Sequence, residues 1–398
     1  MMTSKIALNV KAWHTSILVY FFIFGLAPAA LMVRLPLVRS LVEVTTAQLG
    51  IILFFGSIGA ITSVTLSGRF IARFGTRISI AMGCTIVTLG LFGESVAIVN
   101  HSPVGYGVFA LIAGLGMGFA DVGINVDGAA IEKATGKTAL PKMHAAFSIG
   151  TFAGAGIGTL ASQFDFSLLT QMSVLALITI AIPFITHRFL PADTGIEAAP
   201  NKDEAKAPKV AVWRNRTVIF LAIGILGITL AEGASNDWLA IALVDDFGQT
   251  QTMAGIGFAI LLGAMTLTRY FGGNLADKFG KTRTLQVCAL TGVGGLLIII
   301  LSHNVYAAFV GAALWGCGVA LGFPLFLSVA GEGDNAARQV SFVASSGYLA
   351  FLVGPPLLGF LGQAWGVTNM FYVIAAFLVV AAIFASGAGH KKTSDLPA

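Results

Sequence analysis

Twelve apolar runs dominate the chain, each close to the roughly 20 residues that a helix needs to cross a bilayer. They cover approximately residues 15–37, 46–67, 78–99, 104–131, 143–163, 168–187, 217–243, 253–275, 284–302, 305–329, 339–362 and 368–388. Runs of this length are too long for barrel strands and lack a period-two alternation. A helix satisfies its own backbone hydrogen bonds in lipid, so a helical bundle is the fold open to such a chain. The composition agrees: 56% of residues are hydrophobic and only 10% charged, against about 25% charged in soluble domains. The predicted fold is an all-α integral membrane protein with about twelve transmembrane helices.

The basic residues set the expected orientation. Arg69, Arg73 and Arg77, then Lys133, Lys137 and Lys142, then Arg188 to Arg216, then Lys278, Lys281 and Arg283, and finally Arg338 all fall on one side of the spans. Lys5 and Lys11 at one terminus and Lys391 and Lys392 at the other fall on the same side. The opposite side carries only Arg39, with Arg34 inside the first span. Over an even number of spans this bias predicts a multi-pass membrane protein with both termini cytoplasmic. Lys5 and Lys11 ahead of an apolar run, with Ala27-Pro28-Ala29 beyond, imitate a signal peptide. The run is long and many spans follow, so it reads as a retained first span. The net charge of +5 is spread over short loops and forms no groove-sized patch, which excludes nucleic acid as the expected partner.

Residues 189–214 interrupt the apolar pattern with Pro191, Pro200, Pro208 and a mixture of charges. They read as a flexible cytoplasmic linker between residues 1–188 and 215–398, each holding six spans. The halves repeat. Gly68-Arg69-Phe70-Ile71-Ala72-Arg73-Phe74-Gly75-Thr76-Arg77 follows the second span, and Gly273-Asn274-Leu275-Ala276-Asp277-Lys278-Phe279-Gly280-Lys281-Thr282 follows the eighth, at an offset of 205. The same offset aligns Thr45 with Thr250 and Gly50 with Gly255. Two parallel six-helix repeats form a transporter architecture that binds its solute near the midplane, between the halves.

These loops resemble the G-x-x-x-D-[RK]-x-G signature of the major facilitator superfamily. The second copy is complete, with Asp277 and Lys278; the first has Ala72 in place of the acid. The chain is also similar to an enterobacterial inner-membrane branch of that superfamily, through Asn125 to Glu132, Ala231-Glu232-Gly233, Asn236-Asp237-Trp238-Leu239 and Gly347 to Pro356. More distantly it is similar to proton-coupled sugar permeases of the fucose type. The resemblance spans both halves and implies two pseudo-symmetric six-helix bundles and secondary transport.

Polar side chains inside the spans mark the expected solute path, because a charge at membrane depth costs at least about 2.5 kcal/mol on insertion scales. Asp121, Asn125 and Glu132 are four and then seven residues apart, so they share one helix face. Burial disfavours the charged form of a carboxyl group, which suits Asp121 to proton or solute binding; the alternative is a structural hydrogen bond. Asn125 would bind the same solute, orient Asp121, or join two helices. Glu232, roughly 22 Å into the seventh span at 1.5 Å per residue, heads a second cluster with Asn236, Asp237 and Trp238. Trp238 is either a stacking platform for a ring or an interface-belt residue. Arg34, between Pro28 and Pro36, would pair with Asp237 as an outer gate, bind an anionic solute, or snorkel to headgroups.

Towards the basic side, Asp127, Glu132, Lys133 and His144 suggest a salt-bridge cluster closing the inner end, with His144 alternatively in a proton exit. Arg269 is expected to support the Asp277 loop, and Arg73, Arg77, Asp277 and Lys278 are expected gate parts. Gly150, Gly154 and Gly158 form a small-xxx-small ladder, and Gly354-Pro355-Pro356 with Gly359 would kink the eleventh span.

Cys84, Cys288 and Cys317 lie scattered in apolar runs and read as packing residues, so no disulfide or metal site is expected. No phosphate-binding G-x-x-x-x-G-K-[ST] loop, nucleophile constellation or cofactor motif stands out. The chain therefore reads as a monomeric secondary transporter moving a small polar organic solute with protons by alternating access, rather than an enzyme. Proton-antiport efflux of drugs or metabolites, and a membrane sensor that keeps the fold without turnover, are the alternatives.

Overall fold

The computed structural model describes residues 10–136, 139–196, 215–331 and 336–385. Lys5, Lys137, residues 197–214 of the expected linker, Lys391 and Lys392 lie outside the described residues, as does the side chain of Arg338. Among the described residues, twelve helices are long and apolar enough to cross a membrane. In chain order the α-helical segments are α1 Val10–Met32, α2 Leu35–Leu41, α3 Thr46–Phe74, α4 Thr76–Val99, α5 Pro103–Thr135, α6 Leu140–Gln163 and α7 Leu168–Thr186. The second half holds α8 Arg216–Asp245, α9 Gln251–Phe279, α10 Lys281–Ser302, α11 Val305–Val319, α12 Gly322–Ala330, α13 Ala336–Trp365 and α14 Val367–Ala385.

Local chemistry sets the helix starts, and the repeat is visible in it. Thr45 Oγ1 accepts from Gln48 N at 3.2 Å, and Gln48 Oε1 accepts from Thr45 N at 2.8 Å, a reciprocal cap on α3. At the offset already noted, Thr250 Oγ1 accepts from Met253 N at 3.2 Å at the start of α9. Gly75 and Gly280 separate α3 from α4 and α9 from α10 at φ of 81° and 82°, a conformation that costs a side-chain-bearing residue and not glycine. Arg73 lies over the Phe74 ring and Lys278 over the Phe279 ring, both at 5.2 Å. The two signature loops thus fold alike, although one lacks the acid.

Two expected details differ. The first span ends at Met32, and α2 restarts the helix, because Pro36 lacks an N–H and suits a first turn rather than a helix interior. The tenth span is broken into α11 and α12. The eleventh span is one helix, α13, with Pro355 and Pro356 inside it.

The described residues form two compact units. One holds those up to 196 together with 248–259 and 355–364; the other holds the rest. In the first, α1 packs on α6, α3 and α4 pack on α5, and α4 packs on α7. Gly150, Gly154 and Gly158 do form a ladder: a Cβ at each would lie 2.0, 2.1 and 2.6 Å from the carbonyl oxygens of Phe22, Leu26 and Ala30 on α1. The first turns of α9 and the last turns of α13 join this unit by the same device. Gly255 packs on Thr159, and Gly50 on Pro355 and Gly359. In the second unit, α10 packs on α11 and α14, as α4 does on α5 and α7 in the first, and α8 packs on α14 and α12.

Residues 190–196 are docked chain. Leu190 is buried, Thr194 O accepts from Thr76 N at 2.9 Å, and Gly195 sits against Ile71, Thr76 and Val126.

Candidate functional site

Both units carry polar clusters inside their spans. In the second unit, Glu232 lies about 24 Å along α8 from Arg216 at 1.5 Å per residue. Arg269, on α9, reaches it: Nη2 stands 2.6 Å from Glu232 Oε1. The two side chains are 15% and 30% exposed, so the pair is neither sealed in the core nor free in solvent. Arg269 therefore does not support the Asp277 turn, as its place in the sequence suggested. Its Nε donates instead to Ala320 O at 3.1 Å, at the break between α11 and α12. Asn236 Nδ2 and Ser235 Oγ both donate to the Glu232 carbonyl, at 3.1 and 2.7 Å. Neither supports the Glu232 carboxylate. Asp237 is half-buried one residue on.

Aromatic residues line the neighbouring surface of α8. A Cβ on Gly233 would meet the Phe351 ring at 3.1 Å, and one on Gly347 would meet the Phe323 ring and the Thr229 hydroxyl. Phe323 and Tyr348 form an edge-to-face pair with centroids 6.0 Å apart. The buried Thr229 Oγ1 has no hydrogen-bond partner. Trp238 is fully buried, at 0% exposure, so it serves neither as a belt residue nor as an open stacking platform in this conformation.

In the first unit, Asn125 Nδ2 donates to Asp121 Oδ1 at 3.2 Å and to Asp121 O at 2.9 Å. Both residues are half-buried on α5. The same spacing recurs in the other unit, where Asn236 bonds the carbonyl of the acid four residues earlier. Arg34 is taken up within its own unit: Nη1 donates to Gln171 Oε1 at 2.8 Å and to Phe166 O at 3.0 Å. Gln171 in turn donates to Ala30 O, tying the end of α1 to the start of α7.

The expected inner salt-bridge cluster takes another form. Glu132 Oε1 accepts from Ala139 N at 2.7 Å and Leu140 N at 2.9 Å, capping α6 with the last turn of α5. Asp127 is fully buried and accepts from Thr76 Oγ1 at 2.9 Å, with Trp13 and Thr194 facing the same carboxylate. His144 packs edge-on to Phe21. Arg73, Asp277 and Lys278 are exposed at the turns closed by Gly75 and Gly280, with Arg77 half-buried beyond the first. No group of three or more His, Cys, Asp or Glu that would hold a metal occurs among the described residues.

A buried acid and a helix-breaking proline went unread in the sequence. Glu94, a buried acid on α4, sits within an apolar run. Pro324 breaks the tenth span, and its lack of an N–H leaves the carbonyl four residues earlier, Ala320, without a helical donor. An arginine at membrane depth, a proline in a span and an acid in the preceding span are the signals that would have joined these parts.

Known proteins share this architecture. Over 364 residues the chain is 27% identical to an uncharacterised MFS-type transporter of Yersinia pestis, covering 91% of this chain and 92% of that one. It is 23% identical over 378 residues to the membrane protein MosC of Rhizobium meliloti, covering 93% and 89%. Among solved structures, the fold matches a point-substituted form of the nucleoside transporter NupG at a TM-score of 0.76 with 15% identity, covering 96% of this chain and all of that one. It matches a D-xylose-proton symporter at 0.73 with 15% identity, over 94% and 97%. It matches a point-substituted form of the fucose:proton symporter FucP of E. coli at 0.63 with 17% identity, over 96% and 98%. The Major Facilitator Superfamily model matches residues 128–333 and 221–394, more than half of the chain. With twelve helices among the described residues long and apolar enough to cross a membrane, a repeated signature loop and these matches, the chain belongs to the major facilitator superfamily of membrane transporters.

Proposed function

We propose that the chain is a secondary active transporter that moves a small polar organic solute by alternating access, with protons carried through Asp121 and Glu232. The observation that carries this reading is the Glu232–Arg269 pair, an acid and a base held together at membrane depth beside a broken helix. Intramembrane ionisable groups mark solute and proton paths, because little else offsets their desolvation. Asp121 with Asn125 supplies a second such site in the other unit. A solute with hydroxyl or amide groups fits the donors and acceptors of either cluster, and the aromatic rings beside α8 fit an apolar ring face. Structural neighbours include a nucleoside transporter, a fucose:proton symporter and a D-xylose-proton symporter, which supports a sugar-like or nucleoside-like solute.

In this reading the protein works as a monomer in a bacterial inner membrane, with both termini cytoplasmic. Arg73, Arg77, Asp277 and Lys278, with Glu132 and His144, act at the cytoplasmic gate. The test uses purified protein in liposomes loaded with a pH-sensitive dye. Sugars, nucleosides, organic acids, amino acids and cationic drugs are added in turn to wild type, Asp121→Asn and Glu232→Gln. Solute-dependent proton entry that is lost in either variant is the expected result. Proton exit driven by a cationic drug would favour antiport efflux. Solute movement indifferent to a pH gradient and to both substitutions would remove the proton roles, and binding without movement would favour a sensor.

A further inference from the structure

The break between α11 and α12 follows from one residue. In a continuous helix the carbonyl of Ala320 would accept from the N–H of residue 324, but that residue is Pro324. The helix stops at Val319 and restarts at Gly322. A bare carbonyl at membrane depth is costly, since no water is there to replace the donor. Arg269 Nε fills the gap at 3.1 Å, while Nη2 of the same guanidinium holds Glu232. Gly272, one turn along α9, makes room: a Cβ there would lie 2.2 Å from the Leu321 side chain, at the break itself. Gly322 and Gly224 likewise let α12 lie against α8, at Ile228 and through Phe326. The far end of α12 is held separately, by Lys281 Nζ donating to Ser328 Oγ at 2.7 Å.

We propose that Arg269 is a positioning residue that makes the placement of α12 depend on the occupancy of the Glu232 carboxylate. This rests on the reading of Glu232 as a binding or coupling site. With Glu232 ionised and free, the carboxylate fixes the guanidinium in the orientation that bonds Ala320. When a solute or a proton takes the carboxylate, the guanidinium loses its anchor and turns from the carbonyl. The start of α12 is then released, while Lys281 keeps its end at Ser328 in place, so the nine-residue segment pivots about that end. One side chain thus turns a local event on α8 into a movement of a different helix. The first unit has no such device at the equivalent place, because Phe119 stands where the offset of 205 puts Pro324, and α5 runs unbroken.

The first measurement needs no identified solute. Hydrogen–deuterium exchange of the full-length protein in detergent micelles is followed by mass spectrometry across residues 319–327. Glu232→Gln removes the charge and keeps the shape. It is expected to speed exchange of these amides at least tenfold while α14 stays unchanged. Arg269→Lys, which cannot serve both partners with one planar group, is expected to do the same. Pro324→Ala returns the missing donor to Ala320, so the Pro324→Ala, Glu232→Gln double variant should exchange at the wild-type rate. Unchanged exchange in Glu232→Gln, or failure of Pro324→Ala to restore it, overturns the link. Liposome uptake by the same variants separates the two readings. Faster exchange with transport indifferent to Glu232→Gln keeps the link and removes Glu232 from coupling. Lost transport with unchanged exchange does the reverse.

Discussion

Arg269 Nη2 stands 2.6 Å from Glu232 Oε1, joining two helices that are adjacent in sequence through a partly exposed ion pair in the second unit. Partial exposure screens this pair, so its loss should cost less than the roughly 3–5 kcal/mol of a sealed one. Arg269→Ala is expected to destabilise the protein by about 1–3 kcal/mol, because it strands the carboxylate. A Glu232→Gln, Arg269→Ala double variant should recover part of that loss. Thermal unfolding in detergent provides the cycle, and a coupling below about 0.5 kcal/mol would mean that the pair does not act as a unit.

The ladder on α6 makes a sharper prediction. Gly154→Leu drives a side chain into the backbone of α1, where a Cβ already lies 2.1 Å from Leu26 O. Overpacking of this kind costs about 1–3 kcal/mol or more. Gly156, two residues away, has nothing within 4 Å of its Cβ position. Gly156→Leu should therefore elute from size exclusion like wild type, whereas Gly154→Leu should lose most of its monodisperse peak. Equal profiles would show that the α1–α6 contact is dispensable.

Asp127 and Thr76 hold the chain that leaves α7. Thr76 Oγ1 donates to Asp127 at 2.9 Å, and Thr76 N donates to Thr194 O at 2.9 Å. Removing one partner of a buried hydrogen bond costs about 1–3 kcal/mol. Thr76→Val and Asp127→Leu should each free residues 190–196, read as faster cleavage there in limited proteolysis. Cleavage at the wild-type rate in both would leave the docking to Leu190 and the backbone alone.

Asn125 should matter to uptake more than to folding. It is half-buried and bonds Asp121 from the same helix, so it adds little between helices. Asn125→Ala is expected to lower solute-dependent proton entry about tenfold, the effect of roughly 1.4 kcal/mol, with little change in melting temperature. A melting temperature that falls while uptake holds would instead make Asn125 a packing residue.

Trp238 separates a core role from a ligand role. With no exposed surface, its truncation should cost about 3–5 kcal/mol. Trp238→Ala is expected to lower the yield of folded protein, and Trp238→Phe to retain uptake with an unchanged half-saturating concentration. A weaker apparent affinity in Trp238→Phe with intact stability would bring the ring back into the solute path.

Much of the fold was open to reading because lipid imposes it. The runs at 46–67 and 284–302 had to be helices, and Gly75 and Gly280 had to end them or start the next, since both loops share one spacing. Partner choice was less open. The distance from Arg269 to Asp277 in sequence is eight residues, whereas Glu232 is thirty-seven away on another helix. Sequence proximity favoured the former; helix rotation delivered the latter. Glu132 was read as one side of a salt bridge, but the turn at 136–139 brings bare N–H groups of α6 within its reach, and these are fixed donors.

The sequence by itself determined the membrane, the helix count, the repeat and the presence of acids where lipid disfavours them, because each follows from hydrophobicity and periodicity along a single segment. It also held the cause of the broken tenth span, in the spacing of Ala320 and Pro324. Only the tertiary structure decided that Arg269 supplies the missing donor, that Trp238 is sealed in the core, and that Arg34 is held by Gln171. Those outcomes depend on how helices distant in sequence rotate and approach. That approach is set by glycine contacts such as Gly272 with Leu321, which no single segment reveals.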